Sequence, residues 1–389
     1  MKITKVLIAD DIEKECVDVL RGSGIEVTIK TKQSVDELKK LLPEHDAVIV
    51  RSATKITREL IEVGAKGRLR LVGRAGTGVD NIDVDAASEN KVLVMNTPQA
   101  NSRSAAELTC ILILSLTRHV PQADASMKAG KWERKEFMGE EIFGRTLAVL
   151  GVGRIGREVA SRLRAFGMRV IGYDPMLAKE AAAELDIELF SLKEIWPQAD
   201  FITVHVPLLA ETTNLIDAEG VATTVSIQSV TKKNRALSVL SKCKKGVRII
   251  NVARGGIVNE RDLVDAMNTG QVGGAAFDVF LEEPPTCRDL VQHPKAICTP
   301  HLGASTIDAQ LRVASEIAEN IVQFNNGKVF GVVSWLILPL ARPVCSMFSF
   351  ISAQCEASAV IDTCSNGSRS SSRGCSSCSF CDFHCLYGV

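Results

Sequence analysis

Along the first hundred positions, apolar residues come in short runs separated by polar stretches of helical period. Val6–Ala9, Glu26–Ile29, Ala47–Val50 and Leu71–Arg74 read as strands, and Lys91–Asn96 as a further one. Ile12–Gly22, Ser34–Leu42 (capped by Ser34) and Arg58–Ala65 read as helices between them. Repeated strand–helix units predict a parallel sheet with helices on its faces. Ser102–Thr117 reads as a long apolar helix that packs across a domain junction. The alternation then resumes, with strands expected over Thr146–Leu150, Arg169–Tyr173, Asp200–Pro207, Val247–Val252, Gly273–Val279 and Ala296–His301. Residues 305–327 form one amphipathic helix, apolar at Leu311, Val313, Ala314, Ile317, Ala318, Ile321, Val322 and Phe324, expected to carry the chain back to the first sheet.

One stretch adds chemistry to this pattern. The strand at Thr146–Leu150 runs into Gly151-Val-Gly153-Arg154-Ile155-Gly156, then a helix over Arg157–Gly167, then a second strand that ends at Asp174. In such a unit Gly151 permits a tight turn, Gly153 lets a pyrophosphate approach the backbone, and Gly156 allows close helix–strand packing. The helix N-terminus offers free N–H groups to phosphates. Asp174 stands where a carboxylate accepts hydrogen bonds from the adenosine ribose, and its charge disfavours a 2′-phosphate, so NAD is expected over NADP. The fold class expected is therefore α/β, with two Rossmann-like, doubly wound parallel-sheet domains, the active site in the cleft between them, and an irregular C-terminal tail. Residues 1–98 make one domain, completed by a return segment over 305–333, and residues 99–304 make the nucleotide-binding domain.

Composition narrows the function classes. Acidic and basic residues balance at 46 each among 389 residues. Nothing in that balance points to nucleic acid or to a strongly charged partner. The N-terminus reads as a strand rather than a signal peptide, and the longest apolar stretch, Val329–Leu340, is interrupted and short for a bilayer. A cytoplasmic protein with no membrane contact is expected. Cysteines 16, 110, 243, 287 and 298 are scattered as in a reducing compartment.

In open parallel sheets, ligands bind beyond the carboxyl ends of the strands. Arg254, Asp278 and His301 each fall at such an end. Singly, each is an ordinary loop residue; together they mark a candidate site. The segments Gly73–Asn81, Gly151–Gly156, Asn251–Val258, Asp278–Pro284 and Pro300–Thr306 resemble, in that order, the D-isomer-specific 2-hydroxyacid dehydrogenases, over almost all of residues 1–330. Val50–Lys55, Asn101–Cys110 and Lys131–Lys135 bring the chain nearest to members that act on D-3-phosphoglycerate.

The resemblance implies NAD-dependent oxidation of that phosphorylated 2-hydroxy acid to 3-phosphohydroxypyruvate, the first step toward serine. His301 is the expected general base, Glu283 its orienting acid, and Arg254 the fork that holds the substrate carboxylate and the developing ketone oxygen. Expected cofactor contacts are Thr77, Gly151, Gly153, Arg154, Ile155, Gly156, Asp174, Val206, Val252, Ala253, Arg254, Asp278, His301, Gly303 and Ala304, with Asp278 on the nicotinamide carboxamide. Arg51, Arg74 and Arg134 are candidates for the phosphate, and Gly76 and Asn101 lie near the carboxylate. Arg134 is expected to act across a dimer interface, in a homodimer or homotetramer. Two other functions fit the same resemblance: reduction of glyoxylate or hydroxypyruvate, and a catalytically silent NAD(H)-binding interaction protein.

Two stretches depart from the family pattern. Residues about 220–241 read as an insertion that interrupts a helix expected to start at Asp217. Residues 334–389 hold thirteen Ser, seven Cys and no Lys, and read as a low-complexity, disordered tail. The run Cys375-x2-Cys378-x2-Cys381-x3-Cys385 has the spacing of a ferredoxin run. It lacks the following proline and a second cysteine run, so no metal is expected.

Overall fold

The computed structural model describes residues 2–217 and 239–333. The tail over 334–389, its cysteine run, and most of the expected insertion lie outside the described residues.

Two all-parallel sheets account for the named strands. The first comprises β1 (Lys5–Ile8), β2 (Glu26–Ile29), β3 (Ala47–Val50), β4 (Leu71–Arg74) and β5 (Leu93–Met95), in the order β2-β1-β3-β4-β5. The second comprises β6 (Thr146–Leu150), β7 (Arg169–Tyr173), β8 (Glu188–Leu189), β9 (Phe201–Val204), β10 (Val247–Asn251), β11 (Val272–Phe277) and β12 (Ala296–Cys298). Its order is β12-β11-β10-β9-β6-β7-β8. Strand order reverses between β1 and β3 in one sheet and between β6 and β9 in the other. These are the switch points where a doubly wound sheet leaves a crevice.

Each sheet is buried on both faces, which is why its strands read as continuous apolar runs rather than alternating ones. On the first sheet one face carries Leu7, Val48, Val50, Val72 and Val94. The opposite face, with Ile8, Ile49, Leu71 and Met95, packs against Val313, Ala314, Ile317, Ala318 and Ile321 of the Ile307–Asn325 helix. That helix therefore belongs to the first sheet although it follows the second in sequence. Residues 331–333 then cover the β5 edge, with Asn96 N donating to Gly331 O at 2.8 Å and Val333 N to Val94 O at 2.9 Å. Ser104 Oγ of the Ser102–Arg118 helix lies 2.9 Å from Thr306 Oγ1, the N-cap of the Ile307–Asn325 helix. The apolar side of the Ser102–Arg118 helix, Ala106, Cys110, Leu112, Ile113 and Leu116, joins a core of the second sheet together with the Arg154–Ala165 helix.

The far end of the expected insertion is built into the fold. Val239–Lys242 is a helical turn, and Val239, Leu240 and Cys243 are buried in the second sheet's core. Residues 239–241 thus belong to the fold, because apolar side chains at this spacing seal the β9–β10 face. Leu240 N donates to Asp217 O at 3.4 Å, and Gln271 Nε2 donates to Leu240 O and Cys243 O at 2.8 and 3.0 Å. The two flanks meet, and β10 keeps full register with β9 and pairs along its length with β11. No described helix is long and apolar enough to cross a membrane.

The start of β1 is tied down by Asp46. Its carboxylate accepts from Thr4 N and Oγ1 at 2.8 and 2.7 Å, from Lys5 N at 2.9 Å and from Arg68 Nε at 2.9 Å. Burial opposes ionisation here, but the Arg68, Thr4 and Lys5 donors outweigh it and hold the carboxyl well below the usual carboxylate range. A carboxyl depressed by folding stabilises the fold above its unfolded pKa of about 3.9 and loses that contribution as pH falls toward the folded value. Asp46→Asn is expected to lower Tm at neutral pH, and the gap to the wild type is expected to narrow progressively as pH falls below about 4. Parallel Tm curves for the two proteins across this range would refute the assignment.

Candidate active site

The glycine loop opens at the end of β6. Gly151 has φ +93°, and a Cβ there would lie 2.7 Å from the His205 carbonyl. A Cβ on Gly156 would lie 2.1 Å from the Gly151 carbonyl, so this position admits glycine alone. Gly153 has open space around it. The helix starts at Arg154, with Gly153 as its N-cap, rather than at Arg157 as the pattern suggested. The glycine spacing disguised the first turn, since glycine is a poor helix former and reads as loop. Its N-terminus therefore lies inside the motif, with Gly153 and Arg154 exposed and Ile155 partly packed into the core. Asp174 Oδ2 accepts from Val152 N at 2.9 Å and Oδ1 from Met176 N at 2.9 Å. Each oxygen keeps a second lone pair for an incoming hydroxyl.

Farther along the same edge of this sheet, β10, β11 and β12 each release a turn. Asn251, fully buried at the end of β10, accepts from Ala253 N at 3.0 Å through Oδ1 and donates to Arg254 O at 2.8 Å through Nδ2. Val252 is buried, and Arg254 projects from the turn: its Nη1 donates to Ala253 O at 2.7 Å and its Nε to Asp80 Oδ2 at 2.9 Å. Asp278 N donates to Asn251 O at 3.0 Å, which joins the two strand ends.

Asp278 closes the end of β11. It has 0% exposure, and its carboxylate accepts from Thr299 Oγ1 at 2.6 Å, Leu302 N at 2.7 Å and Gly303 N at 2.8 Å. The side chain forms the hub of the turn that carries His301. His301 N donates to Asp278 O at 2.9 Å, and the residue sits at φ +55°, in the left-handed region. From there its Nδ1 lies 2.7 Å from Glu283 Oε2, while Glu283 Oε1 accepts from Phe280 N at 3.2 Å. The other histidine at a strand end, His205, pairs through its ring with Thr203 Oγ1 at 3.0 Å, and burial drives its imidazole down to about 3. Of the two, His301 alone has a carboxylate partner and a face on open space.

His301, Glu283 and Ala304 line a cavity of about 950 Å³ together with Arg51, Arg74, Gly76 and Asn101. Arg51 is held through its backbone, its N–H donating to Asp10 Oδ2 at 2.6 Å, and its Nη1 lies 3.7 Å from Glu13. Arg74 is largely buried. Desolvation, with Arg254 and Arg51 adding like charge, pushes its guanidinium down to about 10. Among the described residues, its side chain makes one hydrogen bond, from Nη1 to Ala75 O at 3.1 Å, and Nε has none. A buried cation without an acid bonded to it suits an anionic ligand. Thr77 Oγ1 donates to Asn101 Oδ1 at 2.6 Å, beside this wall. Arg134 does not line the cavity. Among the described residues no group of three or more His, Cys, Asp or Glu side chains is arranged to hold a metal.

Several structuring residues escaped the sequence reading. Asp10 follows β1 as Asp174 follows β7, so the strand-end rule would have found it. Asp80 and Asn251 lie in segments that carry the family resemblance, but their partners are fixed only by folding.

A family profile described as "D-isomer specific 2-hydroxyacid dehydrogenase, catalytic domain" matches residues 6–333. The D-3-phosphoglycerate dehydrogenases of Sus scrofa and Homo sapiens are each 50% identical over 333 residues, 85% of this chain and 58% of theirs. That of Bacillus subtilis is 44% identical over 336 residues, 86% of this chain and 59% of its own. The chain thus spans under two thirds of the length of these relatives. Among solved structures, a glyoxylate reductase from Paecilomyes thermophila has a TM-score of 0.74 at 27% identity, covering 86% of this chain and 99% of its own. The TT0316 protein from Thermus thermophilus has a TM-score of 0.72 at 29% identity, covering 85% and 100%. With the glycine loop, the His301–Glu283 pair and the Arg254 turn at the strand ends of one sheet, this agreement over residues 6–333 has one meaning: the chain belongs to the D-isomer specific 2-hydroxyacid dehydrogenase family.

Proposed function

We propose that the chain is a D-3-phosphoglycerate dehydrogenase, oxidising D-3-phosphoglycerate to 3-phosphohydroxypyruvate with NAD at the start of phosphorylated serine synthesis. One observation carries this reading: the His301–Glu283 pair, at 2.7 Å, lines the same cavity as Arg51 and the buried Arg74. A base and phosphate-binding cations thus share one chamber.

The residues around the glycine loop fit NAD. Gly153 leaves room for a pyrophosphate against the helix N-terminus, with Arg154 and Ile155 beside it, and Asp174 retains acceptor capacity for the ribose. Thr77, Val206, Val252, Ala253, Gly303 and Ala304 are assigned to the remainder of the cofactor. NAD, when bound, accepts a hydride from the carbon that bears the substrate hydroxyl. His301 takes the hydroxyl proton at Nε2, since Nδ1 is committed to Glu283. Glu283 holds the ring and stabilises the imidazolium that forms. Arg254 bonds the substrate carboxylate and the oxygen that becomes a ketone. Arg51 and Arg74 hold the phosphate, and Gly76 and Asn101 border the carboxylate.

A homodimer or homotetramer in the cytoplasm completes the reading. Ile111, Val120, Met127, Trp132, Met138 and Phe143 are exposed around the segment that holds Arg134, which supports a self-association face there. Five cysteines among the described residues are free thiols, which suits a reducing compartment.

The test is NADH formation from D-3-phosphoglycerate by the full chain. Arg51→Ala and Arg74→Ala are each expected to raise KM for this substrate by about 10- to 100-fold, the worth of a lost charge-assisted hydrogen bond, with a smaller change in kcat. Turnover of glyoxylate or hydroxypyruvate with no effect of these variants would establish the reductase reading instead. NAD(H) binding with no turnover of any 2-hydroxy acid would establish a binding-only protein.

A further inference from the structure

We propose that Asp80 is a positioning residue for the reaction, holding Arg254 from the first sheet so that the outer edge of its guanidinium stays free for substrate. This rests on Arg254 being the group that binds the substrate carboxylate.

Arg254 offers its N–H groups from three nitrogens in a rigid plane. Nε is taken by Asp80 Oδ2 at 2.9 Å and one side of Nη1 by the Ala253 carbonyl at 2.7 Å. Among the described residues Nη2 has no hydrogen-bond acceptor, and the rest of Nη1 is uncommitted. Asp80 therefore grips the fork at its inner end and fixes the plane without consuming the edge that a carboxylate needs for bidentate pairing. Gly78 makes this possible from below: a Cβ there would lie 1.8 Å from Nη2. The guanidinium thus rests against bare backbone.

Asp80 is itself well placed for this task. Its neighbour Asn81 donates through Nδ2 to Arg51 O at 2.7 Å and Thr54 O at 2.6 Å, and Asn81 O accepts from Ile56 N at 2.8 Å. The loop after β4 is therefore anchored on the Arg51 loop, and Asp80 inherits that rigidity. It also offsets the mutual repulsion of Arg74 and Arg254, for its charge acts on Arg74 in the opposite sense to that of Arg254. One carboxylate thus allows two cations to share the cleft wall. Because the Asp80 side chain is 63% exposed, the ion pair contributes little to folding.

The experiment measures kcat, KM for D-3-phosphoglycerate and Tm for the full chain with Asp80→Ala, Asp80→Asn, Arg254→Ala and the Asp80→Ala/Arg254→Ala double variant. Asp80→Ala is expected to lower kcat/KM by about 10- to 100-fold, as small misplacements of a positioning group do. Asp80→Asn, whose amide oxygen still accepts from Nε, should recover much of that loss. Tm should stay at the wild-type value in both, and Asp80→Ala should cost nothing further once Arg254 is gone. Wild-type kinetics in Asp80→Ala, or an equal loss in the Arg254→Ala background, would overturn the proposal while leaving the dehydrogenase reading intact. A Tm fall that tracks the activity loss in both variants would overturn it too, by assigning Asp80 to folding. A wild-type chain inactive on every 2-hydroxy acid tried would remove the dehydrogenase reading and this assignment together.

Discussion

His301→Ala is expected to lower kcat for D-3-phosphoglycerate oxidation by about 10²- to 10⁴-fold, the usual contribution of a positioned general base. The expectation follows from the ring's constraints. Its backbone is locked at φ +55° by hydrogen bonds to Thr299 O and Asp278 O, at 3.0 and 2.9 Å. Its Nδ1 is fixed by Glu283 at 2.7 Å. Only Nε2 is left to receive a proton, so deleting the imidazole removes an acceptor on the cavity wall that becomes charge-compensated as it accepts. Glu283→Gln is expected to cost about 10²-fold, because an amide can still bond the ring but neither enforces the productive tautomer nor neutralises the imidazolium. Steady-state assays of the three proteins with saturating NAD decide the matter. A His301→Ala variant within about tenfold of the wild type would place the base elsewhere.

Asp278→Ala is expected to cost about 3–5 kcal/mol of stability and most of the activity. The loss strands the enclosed Gly303 N and the part-buried Thr299 Oγ1 and Leu302 N, buried donors being worth about 1–3 kcal/mol each when left unsatisfied. It also dissolves the turn that presents His301. Urea unfolding measures the first effect and kcat the second. Asp278→Asn separates this account from a cofactor-binding one. A turn hub that becomes an amide meets N–H donors with its own NH2, so stability and kcat should fall together. A carboxamide ligand would instead raise KM for NAD and leave the unfolding midpoint alone.

Much of the architecture was legible because parallel strands buried on both faces are short apolar runs with polar ends. Glu26–Ile29, Ala47–Val50, Leu71–Arg74 and Arg169–Tyr173 occur with the bounds that the pattern predicts. The same rule picked out the strand ends at which Arg254, Asp278 and His301 stand. It did not reveal what those side chains do there. The burial of Asp278 depends on Thr299, Leu302 and Gly303 folding back over it, which no local pattern encodes. Asp80 and Arg254 lie 174 positions apart, and their pairing depends on how the two sheets dock. The helix start was misplaced by one turn because Gly153 and Gly156 read as loop. At the end of the expected insertion Val239 and Leu240, apolar beside a polar stretch, belong to the core yet carry a signal too brief to register as a helix.

Arg254, Glu283 and His301 follow three different strands, β10, β11 and β12, and those strands are immediate neighbours. Adjacent strands stand about 4.8 Å apart, a distance fixed by backbone hydrogen bonding. The edge of the sheet is thus a ruler whose graduations no side-chain substitution can move. The scale continues with Val206 beyond β9, Gly151 beyond β6 and Asp174 beyond β7, so an elongated ligand laid along this edge is measured in strands. A change of substrate needs only a change of loop. A longer or shorter cofactor would require the sheet itself to gain or lose a graduation, which gives such a scaffold wide freedom in the acids it can oxidise and almost none in the length of the molecule that carries the hydride away.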